Sequence, residues 1–406
     1  MNFIGNTLVA ALALGTAGIA QPVMAAQGQP AAIKISKQAQ PALLALQTAV
    51  NANDSAKIPG AVAAAQAVAA TKEDRYMLGQ LWLKAALAAK DDGQTAQASA
   101  LVLNSGLATP EQLRALRDNQ ARIKFRAKDY AGAQAELQAL LAADPNNADA
   151  LVLLGEVYES QDNGAQAVDS FQKAIAVRKS AGQPAPADWQ RRAVALAHKH
   201  KLPSLVLLLG EWVRTNPTPD NVRDAARIVG DASGMSDAEQ IDLFRLQRAA
   251  GALKGESDFY RYANSALVKG FPGEAKAVLD EGFASGAINK NRPVFRDVFT
   301  SASSKAIADQ AALATTERNG LAASTARGAL VAGDVFLGYG QYAKAAALYR
   351  AALTKSGADA DLLNLRLGIA LGRAGDKAGA TSALQAAGGK QQQVAQLWQA
   401  WVASRS

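Results

Sequence analysis

The stretch that decides the fold is Leu151-Val-Leu-Leu154-Gly155-Glu-Val-Tyr158, followed across Asp162-Asn163-Gly164 by Ala167-Val-Asp-Ser-Phe171-Gln-Lys-Ala174. On both sides of the turn, apolar and small residues recur at helical spacing, so the segment predicts two amphipathic helices in a hairpin. Gly155 and Ala167 stand where the two helices must cross closely. Tyr158 and Phe171 are expected to fill the space between successive hairpins. The pattern returns along the chain. Ala133 lies 34 residues before Ala167 and is followed by Leu137, Leu140 and Pro145. Ala329, Gly333 and Phe336 precede Ala345, Tyr349 and Ala352; Leu367-Gly368 and Leu371 precede Ala380, Leu384 and Ala387 at a 35-residue offset. Gly338-Tyr339-Gly340 and Gly375-Asp376 supply turns, and Asp144-Pro145-Asn146-Asn147 closes one unit and caps the next helix.

A repeated unit of this length and these residue types resembles the tetratricopeptide repeat. The resemblance implies an all-α chain: an α-solenoid of stacked antiparallel helix hairpins, a superhelix with a C-terminal capping helix. Weaker units fill the intervals, around Trp189 to Trp212, around Tyr262 to Leu279, and at Leu78-Gly79-x-x-Trp82. Nine or ten hairpins are expected. The organisation reads as an export signal over 1–25, divergent hairpins over 26–110, repeats over 111–217, degenerate hairpins over 218–325, and repeats with the cap over 326–406. The cap is Val394, Leu397, Trp398, Trp401 and Val402, one apolar helical face whose polar side carries glutamines rather than lysines, so an end cap is favoured over a membrane-surface helix.

In proteins of this family the first helix of each hairpin lines a concave groove that holds a peptide or another protein segment. By register, that face takes in Asp118, Arg122, Phe125 and Arg126, then Val152, Glu156 and Glu159, and near the C-terminus Arg327, Leu330 and Asp334. Neighbouring basic and acidic rows suit a mixed-charge segment, with Phe125 as an apolar contact. The lysine and asparagine clamp with which some family members grip a terminal carboxylate is not reproduced by Val152 and Glu156.

Composition agrees with a scaffold. Alanine supplies 93 of 406 residues and is the strongest intrinsic helix former. With no cysteine and two histidines, His198 and His200, there is no disulfide framework, thiol nucleophile or cysteine-bound zinc. The formal charge of +8 is spread evenly, 21 basic and 17 acidic residues through Thr215 and 22 and 18 beyond, which argues against a nucleic-acid stripe. The first 33 residues carry no charged side chain; a 13-residue apolar run over 8–20 leads to Val23-Met24-Ala25, the pattern of a signal peptide cut after Ala25. The run is too short to span a bilayer, so the mature protein is expected to be periplasmic or secreted, with no membrane span.

Motifs of chemistry are sparse. Gly338-Tyr-Gly340-Gln-Tyr-Ala343 fits a relaxed dinucleotide fingerprint but lies between two helical patterns rather than after a strand. His198-Lys199-His200-Lys201 reads as an anion or weak metal site, or as a basic helix end that favours the dipole. Asp91-Asp92, Asp280-Glu281 and Glu156/Glu159 are pairs without an evident apolar pocket to separate their pKa values. The expectation is a non-enzymatic scaffold that binds protein segments and needs no catalytic residue, cofactor or metal. Two rivals are a subunit of an envelope polysaccharide-export or outer-membrane assembly system contacting anionic polymer, and an enzyme on residues 218–325, which a buried polar cluster there would support.

Overall fold

The computed structural model describes residues 33–405; the expected signal over 1–25 and the cut after Ala25 lie outside the described residues. Among these, the secondary structure is twenty-one α-helices and one 3-10 turn, with no strand. The chain divides into two compact units at Pro110.

The first unit holds α1 (Gln40–Asn51), α2 (Ile58–Val68), α3 (Lys72–Ala89) and α4 (Asp92–Asn104). Thr71 and Asp74 form a reciprocal capping box at the start of α3. Asp74 is fully buried and also accepts the Ser36 amide at 2.9 Å, tying down the incoming chain. The α3–α4 hairpin closes where Gly79 meets Val102: a Cβ at 79 would stand 2.8 Å from the valine methyl. Trp82 crosses the same seam, its indole donating to Gln94 Oε1 at 2.9 Å.

The second unit begins with α5 (Pro110–Arg126), α6 (Tyr130–Ala143), α7 (Ala148–Ser160), α8 (Gly164–Ser180), α9 (Ala187–Lys199) and α10 (Leu205–Thr215). It continues with α11 (Pro219–Ala232), α12 (Ile241–Ala249), α13 (Gly255–Val268), α14 (Pro272–Ala284), α15 (Pro293–Ala311) and α16 (Leu313–Ala322). It ends with α17 (Ala326–Gly338), α18 (Tyr342–Leu353), α19 (Ala360–Ala374), α20 (Lys377–Gln385), the 3-10 turn Gly389–Gln391, and α21 (Gln392–Ser404).

One local device makes many of the turns. A left-handed residue ends the first helix and the next residue caps the second: Lys128 (φ 62°) before Asp129, Asp162 (φ 57°) before Asn163, and Gly375 (φ 92°) before Asp376. The cap oxygens accept the backbone amides of Gly132, Gln166 and Gly379, which would otherwise lack partners. In three hairpins a glycine of the first helix faces a large side chain of the second. A Cβ at Gly155 would lie 3.1 Å from the Phe171 ring, at Gly333 2.5 Å from Tyr349, and at Gly368 2.5 Å from Leu384. Phe171 therefore packs inside its own hairpin, not only between hairpins as its spacing suggested.

The far end departs from a simple cap. Helix α21 packs on α19 and α20, as a cap should, but its broadest contact is with α10, and it also touches α11 and α12. Gly210 of α10 faces α21 there, its Cβ position lying 3.9 Å from the Ala400 methyl, an ordinary van der Waals contact. Trp398, fully buried, donates its indole N–H to the Asp242 carbonyl of α12 at 2.8 Å. The array thus folds back on itself. One continuous apolar core joins buried side chains of residues 121–252 to those of 326–402, and a second core forms over 241–302.

Candidate functional site

The register-derived groove residues fall into two settings. On α5 and α7 they remain at the surface. Arg122 lies along α5 in a two-bond pairing with Asp118, Nε at 2.9 Å and Nη2 at 3.1 Å. Across from it, Asp149, Val152 and Glu156 of α7 complete a shallow hollow of about 280 Å³. Arg192 of α9, which register did not select, reaches over the Phe171 ring at 4.7 Å and donates to Glu156 and Glu159, both at 2.6 Å. Arg192 thus offsets one charge of the acidic row from the next hairpin. Phe125 is half-buried against the core and tilted on Tyr130 at 5.8 Å, so it offers an edge rather than a free ring. Arg126 is exposed.

On α17 the setting differs. Arg327 is exposed and Leu330 is half-buried on the core. Asp334 is 3% exposed and cannot line an open groove. It accepts the Tyr349 hydroxyl at 2.7 Å and is paired with Arg366. That pair opens into a buried ionic network. Arg366 Nε reaches Asp242 Oδ2 at 3.4 Å; Arg245 holds Asp242 Oδ1 at 2.7 Å and grips Glu274 with Nε at 2.8 Å and Nη2 at 2.7 Å; Tyr262 donates to Glu274 at 2.6 Å. Helices α12, α13, α14, α17, α18 and α19 are therefore stitched together where an open solenoid would have a groove.

Two opposed effects set the charge state of this network. Burial pushes the Asp242 and Glu274 carboxyls up, but the guanidiniums of Arg366 and Arg245 outweigh it and hold both below the usual carboxylate range. For Asp334 burial wins over Arg366, and its carboxyl is raised. Burial also raises the Tyr262 and Tyr349 hydroxyls well above their ordinary value. A buried polar cluster thus exists within 218–325, but its carboxylates are tied to arginines, which makes them weak proton acceptors. The hollow beside Arg245, Tyr262 and Glu274 is about 20 Å³, room for little more than a water. The arrangement binds helices together; it offers no open acid–base pair.

The remaining motifs are structural. The basic cluster ends α9, where Lys199 pairs with Asp162 at 2.7 Å in the turn of the preceding hairpin, and the His200 ring packs over Gly164. Gly338-Tyr339-Gly340 turns α17 into α18, Gly340 with φ 71°, and Gly338 admits the Glu274 side chain. No group of histidine and carboxylate side chains suited to a metal occurs among the described residues, and none of their helices is long and apolar enough to cross a membrane.

Residues 119–184, from the middle of α5 to the end of α8, match the sequence model of the tetratricopeptide repeat. No curated protein matches the chain in sequence. Among solved structures it is similar to a tetratricopeptide repeat protein from Parabacteroides merdae, at 12% identity over 83% of this chain and 100% of that one, TM-score 0.31. It is also similar to Naa15/Naa10 bound to HypK-THB (15% identity, 87% of this chain and 58% of that, TM-score 0.31) and to Pseudomonas aeruginosa pilF (15%, 68% and 90%, TM-score 0.20). Scores this low carry no residue-level reading. The sequence match and the hairpin geometry agree on the same segment: residues 119–184 are similar to the tetratricopeptide repeat, within a chain of helix hairpins.

Proposed function

We propose that the chain is a non-enzymatic scaffold that binds a protein segment on the α5–α7–α9 face. The observation that carries this reading is the open hollow between α5 and α7, with Arg122 on one wall and Asp149 and Glu156 on the other. The later hairpins have filled their own centre with the ionic network and α21, which leaves the first three hairpins of the second unit as the face where a segment can lie. Affinity there comes from distributed polar contacts, so a modest Kd is expected for a partner that orders on binding. The reading includes export, supported by the uncharged first 33 residues and the Val23-Met24-Ala25 pattern.

The test is crosslinking and pull-down from the native envelope with the wild type and with Arg122→Glu/Arg126→Glu. Partners held by the wild type should be lost by the double variant while its helical circular dichroism is unchanged. An identical set of crosslinked partners would end the groove assignment. N-terminal sequencing of the exported product should begin at Ala26, and retention of Met1 would remove export from the reading.

A further inference from the structure

The fold-back creates a pocket of about 500 Å³ that no part of an open repeat array would have. One wall is the α11–α12 connection, the start of α12 and Lys269 at the end of α13; the other is the start of α19 and the 3-10 turn leading into α21. Its floor is the buried ion pair of Asp242 and Arg366.

Which charges are already committed decides what the pocket can take. Asp242 is held by Arg245 and Arg366. Glu239, on the rim, accepts both the amide and the hydroxyl of Ser236, at 2.9 and 2.6 Å. The cations are not committed in the same way. Arg366, a lining residue, spends Nη1 on Asp334 and Nε on a long bond to Asp242, and its Nη2 has no acceptor among the described residues. Lys269 and Lys390 line the rim, both exposed; they make no close ion pair or hydrogen bond there, and their charges attract Glu239 only at longer range. Arg366, Lys269 and Lys390 therefore face one pocket whose own acids are Asp242, shared by Arg245 and Arg366, and Glu239 on the rim. The rest of the lining includes apolar side chains, Met235, Ile241 and Leu362.

We propose that this pocket binds a small amphipathic organic anion, a carboxylate with a short aliphatic body. The carboxylate pairs with Arg366 Nη2 between Lys269 and Lys390, and the body lies on Met235, Ile241 and Leu362. Because its walls come from both sides of the fold-back, the bound anion bridges them and stabilises the closed arrangement by mass action. The site is separate from the α5–α7–α9 face, and its test is independent of any protein partner.

The full-length mature chain is titrated calorimetrically and by thermal melting with hexanoate as probe. Hexan-1-ol and sodium chloride at matched ionic strength serve as controls. Lys269→Ala/Lys390→Ala, two exposed positions whose loss leaves the core untouched, is the variant. Hexanoate should bind the wild type at one site and raise its Tm, and the double variant should bind about tenfold more weakly. The proposal is overturned if hexanoate shows no saturable binding, if hexan-1-ol or chloride gives the same Tm rise, or if the double variant binds hexanoate as tightly as the wild type.

Discussion

Trp398→Ala tests whether the array truly folds back through α21. The indole is fully buried, stands edge-on to Trp401 at 5.4 Å, and bonds to the Asp242 carbonyl. Removing a buried tryptophan costs about 3–5 kcal/mol in lost burial and residual cavity. The hydrogen bond adds about 1 kcal/mol, a modest figure because a helical carbonyl keeps its intrahelical partner. A loss of about 4–6 kcal/mol rivals the whole stability of many domains, so local release of α21 precedes global unfolding. Trp398→Phe keeps most of the ring volume and should cost about 1–2 kcal/mol. The assay is amide hydrogen exchange read by mass spectrometry on the peptides of α10 and α21, with urea unfolding alongside. In Trp398→Ala both peptides should lose protection together, because α10 and α21 bury each other. If α21 exchanges faster while α10 stays as protected as in the wild type, α21 is only an end cap and the fold-back is wrong.

The ionic network makes two further claims and the hairpin crossing a third. Glu274→Gln leaves Arg245 buried with its main partner neutralised and should lower stability by about 3–5 kcal/mol, whereas Glu281→Gln, which breaks the exposed pair with Arg248, should cost under about 1 kcal/mol in the same urea titration. Asp242 and Glu274 have folded pKa values below their unfolded ones, so their stabilisation is complete above about pH 5 and is lost as pH falls through their depressed folded values; raised Asp334 works in the opposite sense. The urea midpoint should therefore drop below about pH 4, and a midpoint that rises on acidification would contradict the assignment. Gly368→Ala drives a methyl into Leu384 and should destabilise by about 1–3 kcal/mol; a Tm equal to wild type would show that the hairpin crossing is looser than 2.5 Å implies.

How much of this was legible in sequence depended on whether a residue's neighbours lay within one repeat. Gly155 was legible as a close-crossing position because its contacts lie inside a single hairpin, but its partner Phe171 was expected between hairpins and instead packs on it. The turns were legible for the same reason, since Asn163 and Asp376 cap helices that begin one residue later. Register brought Arg122, Val152 and Glu156 together, and they line one hollow, but it missed Arg192, which pairs with Glu156 from 36 residues away. The network lay further out of reach: Arg366 meets Asp242 across 124 residues, and each of these side chains taken alone reads as an ordinary surface charge.

The fold-back was hidden by alanine itself. Read by its large residues, α21 has one apolar face, Val394, Leu397, Trp398, Trp401 and Val402, enough to cover α20. The structure also buries Ala395 and Ala400, which widens that face until it contacts α10 as well. A methyl group is as common on an exposed helix surface as in a close crossing, so in a chain with 93 alanines a second packing face leaves no mark in the hydrophobic pattern. The composition that makes the repeats easy to find is therefore what conceals their closure. Placing leucine at Ala400, which is buried facing Gly210 of α10, separates the two readings: an end cap would tolerate it, while a helix packed on α10 would be pushed off.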